Sequence, residues 1–170
     1  MVRAILAGRK TQTRRTLKIQ PYENGVALIN QNHDAFITAG PDYGCKNPYG
    51  HPGDRLWVKE TFMPDPYVGQ NFIYLATEPD PDRYNGHKWK PSIFCTRKAS
   101  RLTLEIVAVR VERLRQISEA DALAEGVTSA AWSAVESYFT LWESINGKTH
   151  SWESNPWVWV IEFRKLEAAR

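Results

Sequence analysis

The alternation of apolar and polar residues predicts a chain that is built mainly from β-strands. Residues 102–114 are rich in Val, Ile and Leu and contain neither Gly nor Pro, which is typical of a long strand. In residues 157–163 both alternating faces are largely apolar, so we expect a central strand there. Shorter strands are predicted at residues 55–60 and 72–76, and extended structure is predicted from Lys10 onward.

Apolar residues at helical spacing predict a few short helices. Residues 2–7 form the first helix, and Gly8 is placed to end it. Ser118 begins the second helix, and Gly126 ends it. The third helix, at residues 133–146, carries an apolar stripe formed by Val135, Tyr138, Phe139, Trp142 and Ile145.

Two stretches rich in Gly, Pro, Asn and Asp interrupt this pattern, at about 19–52 and 63–99. The first stretch predicts a hairpin that turns at Asn24-Gly25, followed by a long ordered loop. Neither stretch has the composition of a linker, so residues 1–170 are expected to form a single domain with two loop insertions. Because strands dominate without a βαβ rhythm, we expect a mainly β (α+β) fold, namely a small β-barrel with two to three short helices packed at its ends.

Composition excludes several functional classes. With 42 % hydrophobic and 24 % charged residues, the chain is expected to be globular. No apolar run approaches the length of a membrane span, so we expect no membrane partner and a cytoplasmic location. The two cysteines and four scattered histidines show no metal-ligand spacing, and neither a metal nor another cofactor is expected.

Charge is distributed unevenly along a chain whose formal net charge is only +3. The first eighteen residues contain six cations and no acidic residue: Arg3, Arg9, Lys10, Arg14, Arg15 and Lys18. Such a cluster is expected to attract an anionic partner, although it is also compatible with a solvated surface segment. Trp57 shares a predicted strand face with Arg55 and Lys59, an arrangement suited to stacking on a base or, alternatively, to core packing.

Several segments, in order along the chain, resemble the ASCH domain family, whose PUA-like β-barrels are related to domains of RNA-modifying proteins. They read ILAGRKTQTRR at 5–15, GDRLWV at 53–58, LEI at 104–106, ISE at 117–119, EGV at 125–127 and WVIEF at 159–163. The first segment is the most specific. The long form with two insertions resembles members that phages and prophages carry.

The resemblance implies an RNA- or nucleoside-binding protein. Small bacterial members are amidohydrolases that deacetylate N4-acetylcytidine with a Lys, a Thr and a Glu, which fall here on Lys10, Thr13 and Glu125. The expected partner is therefore RNA or a cytidine-like nucleoside, and the expected activity is amide hydrolysis of an N4-acylated cytidine. The alternatives that stay open are a non-catalytic RNA-binding module and a ribonuclease that uses the same basic cleft.

These residue types suit amide hydrolysis. A threonine hydroxyl becomes a nucleophile only when a base removes its proton, and Lys10 can be that base only if its pKa falls well below about 10.4. Neighbouring cations and burial would lower that pKa, and Glu125 would then protonate the departing nitrogen. The residues expected to bind the nucleic acid or anion are Arg9, Arg14, Arg15, Arg55, Trp57 and Arg101.

One requirement of this site is geometric. Residues three apart on a regular strand point to opposite faces, so Lys10 and Thr13 meet only if a turn or bulge follows Gly8. Without it, both are ordinary surface residues, and Glu125 is an exposed residue at a helix end. ASCH domains usually have a strand ahead of the first helix, so an open strand edge is expected here, with a monomer or a homodimer as the assembly.

Overall fold

The computed structural model describes residues 1–18, 20, 27–29, 35–37, 44–69, 71–84, 86–128 and 133–167, and in this part the chain is mainly β with a few short helices. The helices are α1 (Val2–Leu6), α2 (Glu119–Ala124) and α3 (Ala134–Asn146). The strands are β1 (Gln12–Thr16), β2 (Ala27–Ile29), β3 (Ala35–Ile37), β4 (Gly44–Cys45), β5 (Arg55–Trp57), β6 (Phe62–Pro64), β7 (Phe72–Tyr74), β8 (Thr103–Arg113) and β9 (Trp157–Leu166).

Four antiparallel strands form the main sheet, in the order β1-β9-β8-β5. The sheet curls into a half-barrel, and the register between β8 and β9 shifts between Ile106 and Ala108. Such an irregularity increases the local twist of a strand pair. β9 lies in the middle and is buried on both faces, as Val158 and Trp159 illustrate with 0 % and 1 % exposure, so the predicted central strand is confirmed.

The two faces of the main sheet carry different apolar clusters. On one face Trp157, Trp159 and Ile161 pack with Leu17, Ile106 and Val109. On the other face, Val158 and Val160 pack against α2, α3 and the turn between β8 and α2, through Leu114, Ile117, Ala122, Ala134, Tyr138 and Trp142. α2 and α3 therefore cover this second face, and their ends come close to β1.

α2 begins at Ser118, the capping residue that the sequence predicts. The side chain of Ser118 accepts a hydrogen bond from the backbone N–H of Asp121, and the carboxylate of Asp121 accepts one from the backbone N–H of Ser118, which is a capping box. Ser133 and Glu136 repeat this arrangement at α3. The apolar stripe of α3 is buried only in part, because Phe139 and Ile145 are 40 % and 62 % exposed.

Small sheets occupy the two predicted insertions. Within residues 19–52, β2, β3 and β4 form an antiparallel sheet, while the predicted Asn24-Gly25 turn lies outside the described residues. β6 and β7 form a hairpin at the start of the second insertion. The strand predicted at 55–60 ends at Trp57, since the carbonyl of Val58 accepts a hydrogen bond from the Ser100 hydroxyl (2.9 Å). Among the described residues, no helix is both long and apolar enough to cross a membrane.

Candidate functional site

The basic segment, residues 1–18, turns sharply between α1 and β1. At Gly8 the backbone φ is +70°, and the amides of Arg9 and Lys10 both donate to the carbonyl of Ala4, at 2.9 and 3.1 Å. The amide of Thr11 donates to the carbonyl of Ala124 at the end of α2 (2.8 Å). β1 begins only at Gln12, so Lys10 precedes the strand and is free of its alternation. This is the departure from strand geometry that a shared site with Thr13 requires.

Lys10 and Glu125 form a buried ion pair, although 115 positions separate them along the chain. Each residue is 5 % exposed, and the Lys10 Nζ lies 2.7 Å from the Glu125 Oε2. The same ammonium donates to the backbone carbonyls of Gln12 (2.7 Å) and Glu125 (2.8 Å). An ammonium has three protons to donate, so the protonated form of Lys10 is fully hydrogen-bonded.

The chain turns immediately after Glu125, and this turn brings α2 against Lys10. Gly126 has a φ of +89°, in the left-handed region that glycine adopts readily. A methyl group at this position would lie 2.9 Å from the Cβ of Lys10 and 3.0 Å from the Cβ of Ala4. The close approach between the end of α2 and Lys10 therefore depends on the missing side chain.

The surroundings of Lys10 shift its protonation equilibrium. Burial lowers the pKa of Lys10 below its ordinary value of 10.5, and the carboxylate of Glu125 opposes this effect without reversing it. The charges of Arg15 and Arg14 lower the pKa further. Lys10 therefore loses its proton more easily than a solvated lysine does, as a general base at this position requires.

Arg14 is the second cation beneath the site, and it is 2 % exposed. Its Nη1 lies 3.4 Å from the Glu125 Oε1, while its Nη2 lies 3.2 Å from the Glu112 Oε2 and 3.5 Å from the Asp121 Oδ2. The carboxylate of Glu125 therefore lies between an ammonium on one oxygen and a guanidinium on the other. This contact holds the carboxylate in one orientation.

A further arginine extends the network away from the site. Arg110, on β8, donates to four side chains: Gln12, Glu112, Asp121 and Glu162. The network thus contains three cations, Lys10, Arg14 and Arg110, and four carboxylates, Glu112, Asp121, Glu125 and Glu162. The positive charges of Lys10 and Arg14 are compensated within the protein.

Side chains of the basic segment also protect the outer edge of β1. Hydrogen bonds to β9 run through odd-numbered residues, as between Thr11 and Phe163, so the carbonyls of Gln12 and Arg14 point away from β9. The Lys10 ammonium donates to the first carbonyl (2.7 Å), and the Arg15 Nη1 donates to the second (3.0 Å). Charged side chains at an edge are one way in which proteins prevent strand-to-strand association.

A cavity of about 360 Å³ opens above the ion pair. Its polar part is formed by Lys10, Thr13, Arg14, Arg15 and Glu125, and its apolar wall comes from α3 with Tyr138, Leu141, Trp142 and Ile145. The three residues expected to be catalytic therefore line one cavity. The Thr13 Oγ1 accepts a hydrogen bond from the Arg15 Nη1 (3.1 Å), which leaves the proton of this hydroxyl available.

Other residues expected at the site lie elsewhere. Arg9 and Arg55 are exposed and do not line the cavity. Trp57 packs against the buried cluster of Phe62, Cys95 and Ala99, and the Lys59 Nζ lies 5.2 Å from its ring centroid. Arg101 is bound through two nitrogens to the buried carboxylate of Glu60, at 3.1 and 2.9 Å. These side chains are not brought together with the Lys10–Glu125 pair.

Sequence reasoning did not identify several residues of this site. Arg110 and Glu112 stand two apart in the longest predicted strand, and opposite charges in a strand with buried neighbours are a usable signal of an internal ion network. Tyr138 and Trp142 were expected only as parts of an apolar stripe. No sequence pattern distinguishes a stripe residue that lines a cavity from one that lies fully in the core.

Among the described residues, no group of three or more His, Cys, Asp or Glu side chains is arranged to hold a metal ion. The acidic residues of the network are instead bound to Arg14 and Arg110. Comparison of the whole chain with protein-family models, curated proteins and solved structures finds no match.

Proposed function

We propose that this protein is an ASCH-type, PUA-like barrel that hydrolyses the amide bond of an N4-acylated cytidine in the cavity above Lys10 and Glu125. The observation that carries the proposal is the buried 2.7 Å contact between the Lys10 Nζ and the Glu125 Oε2 at a cavity that Thr13 also lines. A base, an acid and a hydroxyl nucleophile in one site are the groups that acyl transfer requires.

The ion pair supplies both proton-transfer groups at once. Moving one proton from the Lys10 Nζ to the Glu125 Oε2 produces a neutral amine and a neutral carboxylic acid. The amine then takes the proton of the Thr13 hydroxyl as its oxygen attacks the acyl carbon, and Glu125 gives its proton to the departing nitrogen. An ester between the acyl group and Thr13 results, and water hydrolyses it to restore the starting protonation.

The charge balance of the site supports a small ligand over a polynucleotide backbone. Lys10 and Arg14 are bound to carboxylates, so a phosphate at the cavity floor would compete with these ion pairs. Arg15 is exposed at the cavity and is bonded only to the Thr13 hydroxyl and the carbonyl of Arg14 among the described contacts. The guanidinium of Arg15 beside the Thr13 oxygen would also stabilise an alkoxide there.

Turnover of N4-acetylcytidine by the purified protein, followed as release of cytidine and acetate, tests the proposal. We expect Glu125→Gln to lower kcat/KM about a hundredfold or more, because it removes the proton donor and keeps the size of the side chain. Glu60→Gln is the matched control, since Glu60 is equally buried and bound to an arginine but lies outside this cavity. A Glu125→Gln protein as active as the parent would reject the acid role.

The two other functions predict different results for the parent protein. A non-catalytic RNA-binding module would bind single-stranded RNA with marked salt dependence and leave N4-acetylcytidine intact. A ribonuclease would shorten the RNA. For either function, Arg9→Ala combined with Arg15→Ala is the informative variant, because both side chains are exposed and their removal leaves the buried network in place.

A further inference from the structure

Tyr138 is a buried residue whose polar atom is not used inside the protein. It is 4 % exposed and lies in the middle of α3. Its hydroxyl has no hydrogen-bond partner among the residues that the structure describes, and the residue lines the cavity opposite the ion pair. The hydroxyl oxygen is not among the fully buried side-chain atoms that lack a partner in the described residues, so it keeps surface that a ligand in the cavity can contact.

The ring of Tyr138 is held firmly by its neighbours. It packs in the cluster of α2, α3 and β9 that also contains Val158 and Val160. Its centroid lies 6.2 Å from that of Trp142 and 6.3 Å from that of Trp152, both in tilted or edge-on geometry. A ring fixed in this way presents its hydroxyl at one position and cannot rotate it toward another protein group without breaking these contacts.

The electrical surroundings keep the hydroxyl protonated. Burial raises the pKa of Tyr138 well above its ordinary value of 10.0, and the charge of Glu125 raises it further. Arg14 and Arg15 oppose this shift without reversing it. At neutral pH Tyr138 therefore has a proton to donate, and the carboxylate of Glu125 is near enough to influence it.

We infer that Tyr138 is a specificity-determining residue, whose hydroxyl donates a hydrogen bond to a carbonyl oxygen or ring nitrogen of the bound ligand. The apolar wall around it, with Trp142, Leu141 and Ile145, suits the face of a planar ring. The ligand class is thus a planar heterocycle with an acceptor atom near the α3 wall, while its reacting group lies toward Lys10 and Glu125. This inference rests on the proposed function only in the choice of N4-acetylcytidine as the probe.

Tyr138→Phe removes the hydroxyl and keeps the ring. With N4-acetylcytidine as the probe, we expect Kd by titration calorimetry and KM to rise about three- to tenfold, while kcat changes little, because the lost contact is a ground-state hydrogen bond. The unfolding temperature is expected to stay the same or to rise, because no protein hydrogen bond is lost.

Tyr74→Phe is the matched control. The Tyr74 hydroxyl donates to the carbonyl of Ala99 (2.8 Å), and its ring lies against Arg101, away from the cavity. This variant is expected to leave KM unchanged and to lower the unfolding temperature by about 2–4 °C. Tyr138→Phe is therefore expected to change KM but not the unfolding temperature, and Tyr74→Phe the reverse. If Tyr138 has only a structural role, Tyr138→Phe lowers the unfolding temperature as Tyr74→Phe does.

The outcomes separate this inference from the proposed hydrolysis. Turnover with the same KM in parent and Tyr138→Phe overturns the role of Tyr138 and leaves the hydrolase proposal standing. Binding that weakens in Tyr138→Phe, without turnover by the parent, supports the recognition role and overturns hydrolysis. A fall in stability as large as that of Tyr74→Phe shows that the hydroxyl has a partner in the protein, which overturns the inference. Failure of the parent to bind the nucleoside overturns both.

Discussion

Gly126→Ala tests whether the close approach of α2 to Lys10 holds the site together. Two costs are expected from the structure. An alanine at a φ of +89° is strained by about 1–2 kcal/mol. Its methyl group would also lie 2.9 Å from the Cβ of Lys10 and 3.0 Å from that of Ala4, and such overpacking costs about 1–3 kcal/mol.

Gly53→Ala is the control for the first of these costs. Gly53 has a φ of +93°, almost that of Gly126, but a methyl group there would have no heavy atom within 4 Å. We therefore expect a loss of about 1–2 kcal/mol in the free energy of unfolding for Gly53→Ala, against about 2–5 kcal/mol for Gly126→Ala. The difference isolates the contact with Lys10 and Ala4.

Urea denaturation of the two variants and the parent measures these free energies. Both neighbours of the new methyl group are Cβ atoms, which are fixed to the backbone and cannot rotate away as the end of a long side chain can. Equal losses at positions 126 and 53 would refute the packing argument. A turnover assay on Gly126→Ala adds a second readout, since displacement of Lys10 from Glu125 is expected to lower kcat/KM, whereas Gly53→Ala is expected to leave it unchanged.

Three further predictions concern protons and charges. Lys10→Met leaves the buried Glu125 without its ammonium and is expected to lower the free energy of unfolding by about 3–5 kcal/mol. The double variant Lys10→Met/Glu125→Leu is expected to recover most of this free energy and to have no activity. Urea denaturation measures the stabilities, and a turnover assay measures the activity. The mechanism needs the one proton that Lys10 and Glu125 share, and burial lowers the pKa of Lys10, so kcat/KM is expected to fall at high pH as this proton is lost, with the fall beginning below pH 10.5. Burial disfavours ionisation of Asp121, but hydrogen bonds from Ser118 and the charge of Arg14 outweigh it and lower the pKa of Asp121 below 3.8. Its contribution to stability is therefore complete above this pH and disappears as the pH falls below it, so the difference in stability between Ser118→Ala and the parent should be larger at about pH 6 than at about pH 2.

The sequence predicts those parts of the fold that local chemistry determines. The capping box at Ser118 and the apolar faces of the segment that becomes β9 need no information from the rest of the chain, and both predictions are confirmed. The coarse class, a mainly β chain with short helices, follows from the same patterns. The burial of Arg14 does not, because its partners Glu112 and Glu125 lie 98 and 111 positions away.

The site was predictable only in part, and on a different ground, namely the resemblance of short segments to a known family. A motif marked Lys10, Thr13 and Glu125, and the structure places all three at one cavity. The apolar wall of that cavity comes from α3, which also contributes two residues with polar groups, Tyr138 and Asn146, to the lining. Helical periodicity reports that a residue lies on the apolar face of a helix. It does not report whether the opposite surface is a neighbouring strand or an opening.

The density of positive charge in the first eighteen residues also has a different physical meaning from the one that a charge count suggests. Lys10 and Arg14 neutralise carboxylates of α2 and β8, and Lys10 and Arg15 occupy the outward carbonyls of β1. A cation that satisfies a buried carboxylate is not available to a phosphate. This segment is therefore expected to attract an anion less strongly than its number of cations suggests. Under the proposed function, what this segment offers a ligand is the proton held between Lys10 and Glu125. That role needs the carboxylate, since burial alone favours the neutral amine and would leave no proton for the departing nitrogen.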